Sequence, residues 1–143
     1  MNLAIPRIYP AVLASLLAIC AAALPTLVRA HHSFGAYDNK KVLTLKGTVK
    51  TFQWTNPHVV IWVVVQPEGG GEPQEWSVET TSPGVLTRSG WTRHSLNPGD
   101  RVSIEFNPLR DGSRGGGLNS VTLLDTGQTL KANFAAQEKP GLQ

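Results

Sequence analysis

Two adjacent histidines, His31 and His32, stand directly behind Ala30 in the stretch LVRAHHSFGAY. A third, His58, closes the turn sequence WTNPH at 54–58. Neutral imidazole nitrogen is a ligand for copper, zinc, nickel and iron. If the chain is cut after Ala30, His31 becomes a free N-terminus and offers an amine and a ring nitrogen to one ion. With His58 as the third nitrogen, the set is T-shaped, and Cu(II) favours tetragonal nitrogen sites. A cut one residue earlier would place His32 third, behind Ala30 and His31. Amine, backbone and imidazole nitrogens then bind Cu(II) or Ni(II) in a plane, but Arg29 at −1 disfavours that cut. The plainer alternative is a soluble, frayed His-His start and a turn whose histidine bonds only a carbonyl. His94, in a polar stretch, is read without a ligand role.

The NPH turn has reasons to be stiff. Pro57 fixes its own φ and pushes Asn56 towards extended geometry, and Asn56 can hydrogen-bond within its own turn. Asp38, Glu79 or a backbone carbonyl could orient a histidine ring through its second nitrogen. Of the four tryptophans, Trp54 flanks the turn and could wall a small site. Trp62 and Trp76 are expected in the core, and Trp91 between a helix and the sheet.

No nucleophile elbow, Walker loop, GxGxxG or HExxH is present. GSRGGG at 112–117 lacks the lysine and following helix of a phosphate loop, and reads as a flexible hairpin loop. Glu75, Glu79 and Glu105 lie on expected strands without a spacing that pairs them. A hydrolase or redox enzyme is therefore the weakest reading, and the protein is expected not to be an enzyme.

The first thirty residues have the three parts of a secretory signal: a basic start at Arg7, an apolar run from Ala11 to Leu24, and small residues at Val28 and Ala30. The fourteen-residue run is short of the ~18 needed to span a membrane. Ile19 before Cys20 fits poorly with a lipoprotein cut, so Cys20 belongs to the signal core. Cleavage after Ala30 leaves no cysteine, hence no disulfide or thiolate site. Loss of Arg7 and Arg29 leaves eleven Lys and Arg against ten Asp and Glu, a net of +1. No basic cluster remains for nucleic acid. The expected organisation is a signal peptide at 1–30, an arm at 31–41 pinned by Phe34 and Tyr37, one domain at 42–134, and a flexible tail at 135–143. The expected compartment is the periplasm or the exterior.

Along the domain, 42–54 alternates and then switches parity to Phe52 and Trp54, which predicts a bulge near Lys50 to Gln53. Gly47 suggests a bend. The β-branched run 58–66 reads as a strand buried on both faces. A third strand covers 74–80. Ser82 and Pro83 open a short helix that Gly90 can end. Further strands follow at 101–106 and within 118–134, the last two split by a turn at Asp125 to Gly127. A long bent first strand, and a helix between the third and fourth, give an OB-fold-like five-stranded Greek-key barrel.

AHHSF, LKGTV, WTNPH, GWTR with SL and PGD behind it, and VTLLDTGQTL together resemble a family of small exported bacterial proteins of unknown function, over roughly residues 30–131. The resemblance implies export and a small β-barrel, and attaches no enzymatic activity. Two functions follow from the residues. One is a periplasmic metal-binding protein, copper favoured, with His31, His32 and His58 as ligands and Trp54 and Asn56 beside them. The other is a metal-independent module that binds a protein or oligosaccharide partner on its barrel face.

Overall fold

The computed structural model describes residues 34–132. His31, His32, the signal segment and the tail at 135–143 lie outside the described residues. After one 3₁₀ turn at Phe34–Ala36 come six strands and one helix: β1 (Leu43–Gln53), β2 (Val60–Val65), β3 (Gln74–Glu79), α1 (Pro83–Arg88), β4 (Arg101–Pro108), β5 (Gly115–Leu123) and β6 (Thr129–Lys131). Hydrogen bonding runs β3-β2-β1-β4-β5-β6, and a parallel β3–β5 pairing closes the first five of these on themselves. Five strands thus close a mixed barrel of the expected OB type, and short β6 lies on the edge of β5. Among the described residues no helix is long and apolar enough to cross a membrane.

Alternation builds the core. Leu45 and Val49 of β1, Ile61 and Val63 of β2, Val78 of β3, Val102, Ile104 and Phe106 of β4, and Leu118 and Val121 of β5 all point inward and are buried. The expected bulge is present: the β1–β2 register shifts between Val49 and Thr51. Lys50 is the extra residue, and behind it Phe52 turns inward against the core. Trp91 is fully buried, and its indole N–H donates to Lys131 O at 3.0 Å, so one side chain ties the segment after α1 to β6.

Four expectations need correction. β2 is not buried on both faces. Ile61 and Val63 are sealed, while Val60, Trp62 and Val64 are half-buried on the outer face. Trp62 is accordingly outside the core cluster, whereas Trp76 packs on it edge-to-face with Phe106, centroids 5.8 Å apart. Ser82 precedes α1 in extended geometry, but its side chain makes no capping bond.

The fourth correction matters most. Residues 115–117 are not a flexible loop but the start of β5, buried and paired on both sides. A Cβ on Gly115 would lie 2.8 Å from Ser77 O, and one on Gly116 would overlap Asn107 O and Phe106 Cδ2. Glycine is required there because β5 is wedged between β3 and β4 where the barrel closes. Composition suggested flexibility; the actual cause is close backbone approach.

Candidate functional site

The β2–β3 register sets Trp62 directly opposite Ser77 and Val60 opposite Glu79. All four face outward, because the inward parity of each strand is taken by Ile61, Val63 and Val78. Beside them the glycine run of β5 carries no side chains. The outer surface there is a cleft of about 280 Å³, lined by Tyr37, Val60, Trp62, Ser77, Glu79 and Leu109 among others.

The N-terminal arm forms the far wall. Tyr37 pairs with Leu109 as an isolated antiparallel bridge, Asp38 N–H donates to Pro108 O at 2.8 Å, and Arg110 N–H donates to Ala36 O at 2.9 Å. Asn107 adds a side-chain bond to Lys41 O at 2.6 Å. Tyr37 therefore pins the arm, as the sequence suggested, by continuing the sheet beyond β4.

Glu79 is the hinge of the polar part. Its Oε2 accepts from the Tyr37 hydroxyl at 2.7 Å. Its Oε1 lies 2.8 Å from His58 Nδ1, which is also 3.0 Å from Thr80 O. Both neighbours of Nδ1 are acceptors, so that nitrogen carries a proton. One carboxylate thus joins the arm to the NPH turn. Burial pushes the Tyr37 phenol well above its usual range, and the bond to Glu79 and its charge push the same way.

A raised folded-state value means that the folded chain holds its proton more tightly than the unfolded one. The stability from this network is therefore complete below about pH 10, the unfolded tyrosine value, and is lost as pH rises from there towards the folded value. Melting temperatures measured from pH 8 to 12 should fall more steeply above pH 10 for the wild type than for Tyr37→Phe. Parallel curves would refute the role of the phenol.

Of the residues singled out by sequence, His58 is part of this network and is partly buried. Asn56 is exposed, precedes a cis peptide bond to Pro57, and makes no turn hydrogen bond. Trp54 packs against Phe52, centroids 5.6 Å apart, and does not line the cleft. Among the described residues no three His, Cys, Asp or Glu side chains gather to hold a metal. Sequence reasoning missed Ser77 and Leu109. It read Glu79 only as one of several groups that could orient a ring, and Trp62 as core. The alternation of QEWSVET does put Ser77 and Glu79 on one face, but the register that sets Trp62 against them depends on the hairpin.

A model described as a family of unknown function (DUF6152) matches residues 18–119. No curated protein matches the chain. Among solved structures, the mitochondrial single-stranded DNA binding protein Rim1 of S. cerevisiae is similar, with 12% identity, 59% of this chain and 93% of that chain covered, and a TM-score of 0.46.

Proposed function

The chain belongs to this family of unknown function, DUF6152, and for it we propose an exported, metal-independent interaction module that binds an oligosaccharide on the outer face of β2 and β3. Export follows from the signal-like segment cut after Ala30. The observation that carries the binding reading is Trp62. Its indole is partly exposed at the cleft, with no ring or hydrogen-bond partner among the described residues, and Ser77 opposite it offers a hydroxyl that is likewise uncommitted. A sugar ring presents C–H faces that pack on an indole and hydroxyls that need both donors and acceptors. Ser77 supplies both, the Trp62 N–H donates, and Glu79 accepts. Small-molecule pockets begin near 300 Å³, so a cleft of about 280 Å³ suits one ring of a longer chain that continues along the surface.

The test is a glycan array, followed by titration of the best oligosaccharide read by tryptophan fluorescence. Trp62→Ala should weaken binding by about tenfold or more, the size of a central aromatic contact, with the melting temperature nearly unchanged. Absence of any glycan ligand, or binding indifferent to Trp62→Ala, would overturn the reading.

A specific observation favours a second reading, a Cu(II) site. Ligand histidines are held through their other nitrogen by a carboxylate or carbonyl, and His58 Nδ1 stands against both Glu79 and Thr80. Tyr37, five residues beyond His32, anchors the arm at that same carboxylate. In this reading His31 and His32 supply the remaining nitrogens. Copper titration of the chain starting at His31, followed by electron paramagnetic resonance, should give a one-to-one nitrogen-rich signal. The signal should be lost when a residue precedes His31 and weakened in His58→Ala. Weak multi-site binding indifferent to both would exclude it.

A further inference from the structure

Strand β1 is paired on one side at a time. Its first half lies against β4, Leu43 to Thr48, and its second half against β2, Thr48 to Gln53. The direction in which each residue of the first half aims its main chain follows from three bonds at one end of the ladder. Val49 N–H donates to Asp100 O, and Val49 O accepts from Gly99 N–H, so Val49 faces the β4 side. Arg101 O accepts from Leu124 N–H, so Arg101 faces β5 and the even-numbered residues of β4 face β1. In an antiparallel ladder these directions alternate residue by residue. Leu43, Leu45 and Gly47 are therefore bonded to β4, and the N–H and C=O of Thr44 and Lys46 point the other way.

Nothing in β2 meets them. Extending the Thr48–Val64 register would bring Lys46 against Gln66 and Leu45 against Pro67. β2 ends at Val65, and no backbone hydrogen bond joins Lys46 to Gln66 among the described residues. At the apex the two strands are very close, since a Cβ on Gly47 would lie 2.5 Å from Val64 O. Beyond it they diverge into a wedge of about 480 Å³, lined by Thr44, Leu45, Lys46, Val65, Gln66, Pro67 and Glu68. Val42 and Leu43, 59% and 44% exposed, stand at the start of the same edge.

We infer that this wedge takes a single extended peptide segment of a partner protein, which adds as a strand to the Thr44–Lys46 edge. The main chain dictates the chemistry: two N–H and two C=O groups, spaced for a strand, are matched by another backbone in extended form. The far wall dictates how many strands can enter. Gln66–Glu68 close the wedge, so a strand already bonded to a sheet on its other edge is kept out. A second copy of this barrel is such a sheet, and so is excluded. The wedge is lined by one charge of each sign, Lys46 and Glu68, so the peptide needs no net charge. Its inward side chains lie over Val65 and Pro67 and should be β-branched or apolar.

The test uses the full chain and a blocked pentapeptide, Thr-Val-Thr-Val-Thr. In the free protein the amides of Thr44 and Lys46 should exchange rapidly while those of Leu45 and Gly47 are protected. Saturating peptide should slow Thr44 and Lys46 at least tenfold. Thr44→Pro removes one inward N–H without costing the barrel a hydrogen bond, which strand edges tolerate; it should stay folded and lose the peptide. Lys46→Ala keeps the main chain and should still bind. Slow exchange of Thr44 and Lys46 in the free protein at all concentrations would show a ladder already made and overturn the inference. Protection that grows with protein concentration would assign the edge to a second copy, and protection lost on stopping the chain at Ala132 would assign it to the chain's own tail; either overturns it. Peptide shifts confined to Trp62 and Ser77 would do so as well, by locating the peptide in the cleft. The wedge and the cleft are thus read by different variants, and one can fail while the other stands.

Discussion

A Gly116→Val chain is expected to lose at least ~3 kcal/mol of folding stability, at or above the upper end of what overpacking costs. The reason is local. The new Cβ would overlap Asn107 O and the ring of Phe106, and neither can retreat. Asn107 is buried in β4 and bonded to Lys41 O, while Phe106 is 1% exposed with Trp76 packed on its edge. Backbone must therefore move, and the backbone in question closes the barrel between β3 and β5. Urea denaturation should show an earlier midpoint, and the cleft floor should be lost with it. Gly84→Ala is the control. A Cβ there meets nothing within 4 Å, and the site is in the short helix α1, so alanine should stabilise slightly, by about 0.5–1 kcal/mol. If Gly116→Val unfolds at the wild-type midpoint, β5 does not close against its neighbours as described.

That contrast between two glycines also shows where sequence reading works and where it stops. Period-two alternation separates the two faces of β1, β3 and β4, and a parity switch at Phe52 reveals the bulge, because both are properties of one segment and its own pleat. Gly115 and Gly116 carry no such signal. Their necessity comes from Ser77 and Asn107, which reach them only after the barrel is closed. Trp62 fails for a related reason. A β-branched run looks buried on both sides whichever face is covered, and the outer face of β2 is covered only in part, by an arm that starts before residue 42. His58 was visible as a residue to watch, and Glu79 as one possible partner. That Tyr37 reaches the same carboxylate from across the cleft depends on the Tyr37–Leu109 bridge, a contact between residues 72 positions apart.

Glu79→Ala should have the second-largest effect, with consequences in three places at once. The Tyr37 hydroxyl, on a side chain only 8% exposed, loses the acceptor it donates to at 2.7 Å. His58 Nδ1–H keeps Thr80 O but loses the carboxylate. A hydrogen bond to a charged group is worth about 1.5–3 kcal/mol, so folding stability should fall by about 2 kcal/mol. The arm should loosen with it: the amides of Asp38 and Arg110, bonded to Pro108 O and Ala36 O, should exchange faster, while those of the β1–β4 ladder keep their protection. Glu79→Gln should fall between. Its amide oxygen can accept from either Tyr37 or His58, but its NH₂ group can only donate, and neither partner needs a donor. If the alanine variant leaves arm exchange unchanged, the bridge and backbone bonds hold the arm alone, and Glu79 acts only on His58. Glu79→Ala and Trp62→Ala together separate the two functional readings. For a copper site, loss of the carboxylate behind His58 should cost 10–100-fold in metal affinity, as such supporting groups typically do, with Trp62→Ala silent. For a saccharide cleft the order reverses, because Trp62 supplies the stacking surface and Glu79 one acceptor among several.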